Sequence, residues 1–281
     1  MPFGLGRRSG VAVVEIHGAI GNQVKISAYS RIFDAVAQDK RHSALLLDID
    51  SPGGSASGSE VLHRSIQRVA ENKPVYAYVR GLGASGGYYL ACAATKIYAL
   101  PTAMVGSIGV IYFRPALEQL LSKIGVEFSV YKSGEFKDMT GFWRGPTDRE
   151  SEKFQELINE VFDNFVAVVA QGRSLEEAKV REIATGELMT AQRGIGLGMV
   201  DQIGDFKDTL DAVAEAGGCK PLARFLRPGR SLSQRVFGRS NMARSGGLEL
   251  INSLQRLMAG GIYYLEPGHL TGGEYGLNGS E

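Results

Sequence analysis

Ser85 stands in the run Gly83-Ala84-Ser85-Gly86-Gly87-Tyr88-Tyr89, between the apolar stretch Pro74-Val75-Tyr76-Ala77-Tyr78-Val79 and the small-residue run Leu90-Ala91-Cys92-Ala93-Ala94. That order reads as a buried strand, a glycine-rich turn and a helix packed too closely to carry bulk. At a helix N-terminus the first backbone N–H groups lack partners within the helix and point outward with partial positive charge. A serine there has two readings. Its hydroxyl is a nucleophile with an oxyanion site beside it, or an ordinary N-cap, since serine is a preferred cap residue.

A nucleophilic serine needs a base near neutral pH. The histidines are poorly placed to supply one: His17 ends the first strand, His42 lies in a polar connection, His63 sits mid-helix and His269 is in the tail. Lysine is the next candidate, because Ser-Lys pairs are a known variant of the serine triad. It serves as a base only where burial lowers its pKa enough to leave the amine neutral. Lys137, in Lys132-Ser133-Gly134-Glu135-Phe136-Lys137-Asp138, follows an apolar stretch and lies beside aromatic residues. Spacing alone does not separate it from a solvated surface lysine.

The elements that must position these groups alternate. Strands are expected at 11–17, 44–49, 74–79, 96–100, 107–112 and 126–131, with helices at 27–39, 60–71, after Ser85 and at 115–123. Asp50-Ser51-Pro52-Gly53-Gly54 and the Ser85 run are both strand-to-helix turns. The alternation implies an α/β fold with a mostly parallel sheet and right-handed crossovers, in which sites gather at the carboxyl ends of strands. A long amphipathic helix follows at 148–170, a shorter one at 175–183, a helix, turn and short strand over 190–204, and a helix at 205–216 stopped by Gly217-Gly218.

The 281 residues carry a net charge of +1, which gives no electrostatic case for nucleic acid. The 37 glycines are about twice the usual share and fall between apolar runs, indicating tight connections. Cys92 and Cys219 are far apart without metal-ligand spacing, so neither a disulfide framework nor a metal site is expected, and Cys92 reads as a small buried hydrophobe. Neither an apolar leader nor a run of about 18 apolar residues is present. The expectation is a cytoplasmic or peripherally membrane-associated chain. Between Glu215 and Glu249 there is no acidic residue, while Lys220, Arg224, Arg227, Arg230, Arg235, Arg239 and Arg244 alternate with apolar residues. This stretch, 220–244, suits an anionic membrane surface or a solvated appendage docked on its own oligomer. Leu250, Ile251, Leu254, Leu257 and Met258 have helical spacing, and 266–281 reads as a flexible tail. The expected division is an arm at 1–10, a main domain at 11–216, a basic and partly helical extension at 217–265, and the tail.

Four segments together resemble the signal peptide peptidase A family of serine proteases, peptidase family S49, relatives of the Clp protease and crotonase fold. They are Asp50-Ser51-Pro52-Gly53-Gly54, Ala84-Ser85-Gly86-Gly87-Tyr88-Tyr89, Val105-Gly106-Ser107-Ile108-Gly109-Val110 and Ser133-Gly134-Glu135-Phe136-Lys137-Asp138. Gly196-Leu197-Gly198-Met199-Val200-Asp201-Gln202-Ile203-Gly204 fits the family's closing segment with one extra glycine. The resemblance covers about residues 10–215. It implies repeated β-β-α and βαβ units with a helical C-terminal extension, Ser85 as nucleophile, Lys137 as general base, Gly54 and Gly86 as oxyanion donors, and Ser107 orienting the lysine. No cofactor is implied. It further implies cleavage of remnant signal peptides, or of other membrane-derived or unfolded peptides, through an acyl-enzyme. With one copy of each motif, the chain resembles single-repeat members, which assemble into a ring or dome and can draw serine and lysine from neighbouring subunits. The helix at 148–170 is a candidate interface. Two other readings stand beside this one: a crotonase-like acyl-CoA enzyme, for which no acidic pair is placed, and a proteolytically silent scaffold.

Overall fold

The strands that position the site are near-continuous apolar runs, as expected for parallel strands covered on both faces. The computed structural model describes residues 9–228 and 261–265. In chain order the elements begin with β1 (Gly10–His17), α1 (Ile26–Gln38), β2 (His42–Ser51), β3 (Gly53–Ser55), α2 (Ala56–Ala70), β4 (Val75–Ala84), α3 (Gly86–Ala91), β5 (Lys96–Ala99) and β6 (Met104–Gly106). There follow β7 (Ile111–Phe113), α4 (Glu118–Lys123), α5 (Asp148–Arg173), α6 (Glu177–Ile183), β8 (Leu188–Thr190), α7 (Ala191–Gly196), β9 (Gln202–Ile203), α8 (Phe206–Ala216), β10 (Ala223–Phe225) and β11 (Gly261–Leu265). The described residues divide into two compact units. The first holds 9–109, 165–227 and 264–265; the second holds 110–164, 228 and 261–263.

In the first unit the sheet order is β10-β1-β2-β4-β5-β9, with β6 pairing β4 and β8 pairing β6. All neighbours are parallel except β6 and β8. One face buries Val11, Val13, Ala44, Leu46, Tyr76, Tyr78 and Tyr98 against Leu210, Val213 and Ala214 of α8. The alternate residues of the same strands, among them Val14, Leu45, Leu47 and Ile49, are also fully buried, and alternation directs them to the opposite face. The α8 start carries a capping box between Asp205 and Asp208, satisfying two otherwise orphaned N–H groups.

Several boundaries differ from the sequence expectation. The helix expected from 60 begins at Ala56, because Ser55 caps it by accepting the Gly58 N–H at 3.2 Å. The strand expected to end at 79 continues to Ala84, so the glycine-rich turn contracts to one residue, Ser85, before α3. The strand expected at 107–112 is broken. Gly106 and Ser107 both have left-handed φ, +102° and +51°, which ends β6, and pairing resumes only at β7. The helix expected from 115 forms only from Glu118.

In the second unit β7 pairs antiparallel with Gly261–Tyr263. Residues 126–131 alternate apolar and polar as a strand would, yet no strand pairs with them among the described residues, and they remain outside regular structure. Val126, Phe128, Val130 and Tyr131 are exposed there.

Part of the basic segment joins the sheet. Beyond residue 216 the chain returns as β10, which pairs in parallel with β1 from Val11↔Ala223 to Val13↔Phe225. Arg227 forms an ion pair with Glu15 at 2.6 Å. The apolar residues interleaved with the positive charges are what allow a strand here. The helix expected at 250–258, the tail, His269 and the charges from Arg230 to Arg244 lie outside the described residues. Among the described residues no helix is long and apolar enough to cross a membrane.

Candidate active site

Ser85 is the single residue between β4 and α3, and its backbone is held at φ +50°, ψ −117°, a region that costs a non-glycine residue of order 1–3 kcal/mol. Two hydrogen bonds hold it there. Its N–H donates to the Gly106 carbonyl at 2.7 Å, and its carbonyl accepts from the Tyr89 N–H at 2.8 Å. The side chain makes no cap hydrogen bond. Ser85 therefore occupies the cap position without capping, and the residue is 1 % exposed.

The turn 50–54 reaches the same place from β2. Ser51 is fully buried; its hydroxyl donates to the Gly18 carbonyl at 2.8 Å and accepts the Gly53 N–H at 3.2 Å. Ile20 laces the next residues, its N–H donating to the Gly53 carbonyl at 2.7 Å and its carbonyl accepting from the Ser55 N–H at 3.0 Å. Gly54, at φ +152°, has no room for a side chain, since a Cβ there would lie 2.2 Å from the Ile20 carbonyl oxygen. A Cβ on Gly53 would fall 2.7 Å from the Gly86 nitrogen, so the two glycine turns touch. At Gly86 a Cβ would meet the Ser59 hydroxyl at 2.5 Å. As the first residue of α3, Gly86 has no preceding helical carbonyl to which its N–H could donate.

A feature that sequence reasoning missed carries Ser85 into position. The pairing of β2 with β4 shifts register between Ile49↔Val79 and Ser51↔Gly83, a bulge of the kind that re-aims residues beside active sites. Asp50 stitches it, its Oδ1 accepting the Leu82 N–H at 3.0 Å. Past the bulge β4 exchanges neighbours, pairing with β5 through Val79 and with β6 from Leu82 to Ala84. The motif Asp50-Ser51-Pro52 was the only signal for this, but its side-chain bonds are tertiary and its spacing reads only as a turn.

Ser107 follows the pair Ala84↔Gly106, so it leaves β6 beside Ser85. It is nearly buried, and its N–H donates to the Glu187 carbonyl at 2.8 Å. Tyr88 anchors α3 from within, its hydroxyl donating to the Met199 carbonyl at 2.9 Å. Cys92 is buried, and burial pushes its thiol up to about 12, as suits a small core residue. His63 is structural: it is buried edge-on to Tyr89 at 5.0 Å, and burial pulls its pKa down to about 4.

Lys137 belongs to the second unit. It lies in the turn 135–140, exposed, with its own N–H donating to the Gly134 carbonyl at 3.2 Å. Its charged neighbours are committed: Asp138 to Lys132 at 2.5 Å and Arg144 at 3.0 Å, and Glu135 to Arg149 at 2.5 Å. Lys132 and then Arg144 hold the Asp138 carboxyl below its usual range. None of these ion pairs includes Lys137.

The α/β sheet that delivers the strained, non-capping Ser85 beside two glycine turns has the Clp protease/crotonase-like fold. A solved structure of a membrane-bound stomatin-specific protease superposes with a TM-score of 0.50 at 19% identity, covering 79% of this chain and 99% of that one. The sequence model of Peptidase family S49 matches residues 67–220, just over half of the chain. A predicted protease of Synechocystis sp. is 36% identical over 220 residues, 78% of this chain and 79% of that protein. The signal peptide peptidase SppA predicted in Enterococcus faecium is 35% identical over 179 residues, 63% of this chain and 52% of its own length. The chloroplastic serine protease SPPA of Arabidopsis thaliana is 30% identical over 241 residues, 82% of this chain but 36% of that protein. The chain belongs to peptidase family S49 and is a serine protease.

Proposed function

We propose that the chain is an endopeptidase with Ser85 as nucleophile and Lys137 as general base, cleaving remnant signal peptides or other membrane-derived or unfolded peptides. The observation that carries the reading is the backbone of Ser85, held at positive φ with its hydroxyl unused as a cap. Ser85 Oγ attacks the scissile carbonyl carbon while its proton passes to the neutral Lys137 amine. The tetrahedral oxyanion accepts from the Gly54 and Gly86 N–H groups, preorganised donors of the kind that often supply a large catalytic term. Collapse breaks the C–N bond, with the proton returned from the lysine to the leaving amine. Water, deprotonated by the same lysine, then hydrolyses the acyl-serine.

A lysine that is exposed in one chain needs burial to become a base. The exposed apolar side chains Leu120, Ile124, Phe128 and Tyr131 of the second unit supply a surface for association. The reading therefore includes a homo-oligomer, a ring or dome, in which assembly buries Lys137 and Ser107 steadies its amine, with the dyad formed within one subunit or between two. A fluorophosphonate probe tests the assignment. Labelling of the wild type that is absent in Ser85→Ala and in Lys137→Ala supports the dyad; labelling that persists in Lys137→Ala refutes the base.

A further inference from the structure

Lys137 stands in a stretch whose backbone does not hold its own shape. Residues 124–147, all among the described residues, form neither helix nor strand between α4 and α5. Loops beyond about 15 residues without structure of their own are uncommon in a compact unit and are usually functional or disordered. Near the lysine the backbone makes only short-range turns: its N–H donates to the Gly134 carbonyl at 3.2 Å, the Met139 N–H to Phe136 at 3.2 Å and the Gly141 N–H to Asp138 at 2.8 Å. Charged side chains tie this turn to a regular element, and both sequence neighbours of Lys137 take part.

On one side stands Asp138, 8 % exposed. Lys132 Nζ donates to its Oδ1 at 2.5 Å and to the Glu135 carbonyl at 2.8 Å. Arg144 meets both of its oxygens, Nε donating to Oδ2 at 3.2 Å with Nη2 3.0 Å from Oδ1. The same guanidinium forks onto Glu150, Nη1 donating to Oε2 at 2.7 Å and Nη2 to Oε1 at 2.6 Å. Glu150 is 2 % exposed and lies in the first turn of α5. Its Oε2 also accepts the Thr147 N–H at 2.9 Å, and its N–H donates to Thr147 Oγ1 at 3.2 Å. On the other side stands Phe136, whose ring lies 5.5 Å from the Arg149 guanidinium. Arg149 belongs to the same turn of α5 and pairs with Glu135 at 2.5 Å. Lys137 is thus an exposed residue between two anchored ones.

We infer that Asp138, Arg144 and Glu150 are positioning residues for the proposed base, a clamp that docks the Lys137 turn on the first turn of α5 and fixes where its amine stands. The inference rests on the reading of Lys137 as the base and adds what places it. Covered ion pairs contribute little net stability over apolar packing, because desolvation offsets attraction, whereas a bidentate arginine fixes geometry. The clamp therefore sets the direction of one side chain more than the strength of the fold. Arg144 is its bridging member, and a lysine in its place would carry the charge without the planar fork.

Two measurements on the full chain test this. In the first, hydrolysis of a fluorogenic peptide is followed against pH in wild type, Arg144→Lys and Asp138→Glu. Both variants keep every formal charge and disturb only the fork or its reach. The rising limb of kcat/KM, which reports the base of the free enzyme, should move about one unit to higher pH as the loosened amine becomes solvated. The plateau should fall by about 10²-fold as the amine is misplaced. A limb that stays at the wild-type pH in both variants, whatever the loss of activity, assigns the network to folding alone and overturns the inference. In the second, which needs no turnover, amide exchange is compared in Ser85→Ala with and without Arg144→Lys. Faster exchange at Lys137, Met139 and Gly141 supports the clamp; unchanged exchange overturns it. Turnover that survives Lys137→Ala would instead count against the base itself, while the exchange result would still decide whether the network holds the turn.

Discussion

The backbone N–H of Ser85 donates to the carbonyl of Gly106 at 2.7 Å, at the point where paired strands β4 and β6 end together at Ala84↔Gly106. The residues that follow, Ser85 and Ser107, have almost the same left-handed φ, +50° and +51°. Two neighbouring strands thus deliver two serines side by side, and one hydrogen bond between their turns fixes the first. The strain at Ser85 is sustained by this ladder together with the Tyr89 N–H of α3, which donates to the Ser85 carbonyl at 2.8 Å.

Gly106 is accordingly sensitive. Its φ is +102°, and a Cβ would lie 3.0 Å from the Glu187 carbonyl oxygen. Gly106→Ala should lower stability by about 1–3 kcal/mol and slow probe labelling of Ser85, because the strain relaxes by moving the carbonyl that holds Ser85. Thermal melts and labelling rates measure both; a variant with wild-type labelling would show that the bond does not position the proposed nucleophile.

Gly86 separates packing from catalysis. Gly86→Ala sets a methyl 2.5 Å from the Ser59 hydroxyl, and should reduce kcat by about 10²-fold if the Gly86 N–H serves the oxyanion. Adding Ser59→Ala removes that clash and should recover part of the melting temperature without restoring kcat, since the Tyr264 carbonyl and Gly53 still crowd the methyl and keep the retained Gly86 N–H displaced from the proposed oxyanion position. Full recovery of kcat in the double variant would assign the loss to packing alone.

The strands β1, β2 and β5 are legible in the sequence because their apolar runs are buried on both faces. The glycine-rich turns at 50–54 and 83–87 are legible because glycines between apolar runs mark tight connections. The roles given to Ser85, Gly54, Gly86 and Ser107, by contrast, belong to the resemblance, and the left-handed turn at Ser107 falls where the pattern reads as a strand. The extent of β4 is not, because its last residues, Gly81 to Ala84, owe their strand geometry to β2 and β6 rather than to propensity. Residues 126–131 show the converse: an alternating pattern supplies a strand's side chains but not the neighbour that a ladder needs. Tyr264 leaves no local signal at all, since its burial is created by Tyr89 and Phe165 from distant parts of the chain.

Asp50 offers a test of the bulge. Its Oδ1 holds Leu82, and Gly81 lies close enough that a Cβ there would be 3.0 Å from the same oxygen. Asp50→Ala leaves the Leu82 N–H without this acceptor and should cost about 1–3 kcal/mol along with a fall in kcat. Asp50→Asn keeps an acceptor oxygen and should retain most of both. Equal loss in the two variants would mean that the charge, rather than the bond to Leu82, is what matters.

His63 sets the response to acid. Burial is the main cause of its lowered pKa, about 4 against an ordinary 6.5; Glu60 opposes the shift and Arg64 adds to it. The unfolded chain therefore binds this proton more readily than the folded one, so the stabilising contribution is complete above pH 6.5 and is lost as pH falls towards 4. By pH 5 the loss amounts to about 2 kcal/mol. Glu150, which Arg144 holds down to about 2 from 4.5, acts in a lower window, its contribution being lost only as pH falls below 4.5. Between pH 6.5 and 5 the two effects separate. Chemical denaturation of the wild type should weaken across that interval, whereas His63→Gln, which carries no titrating ring, should start less stable and show a flatter profile. Parallel profiles for the two proteins would remove His63 as the source of the acid sensitivity.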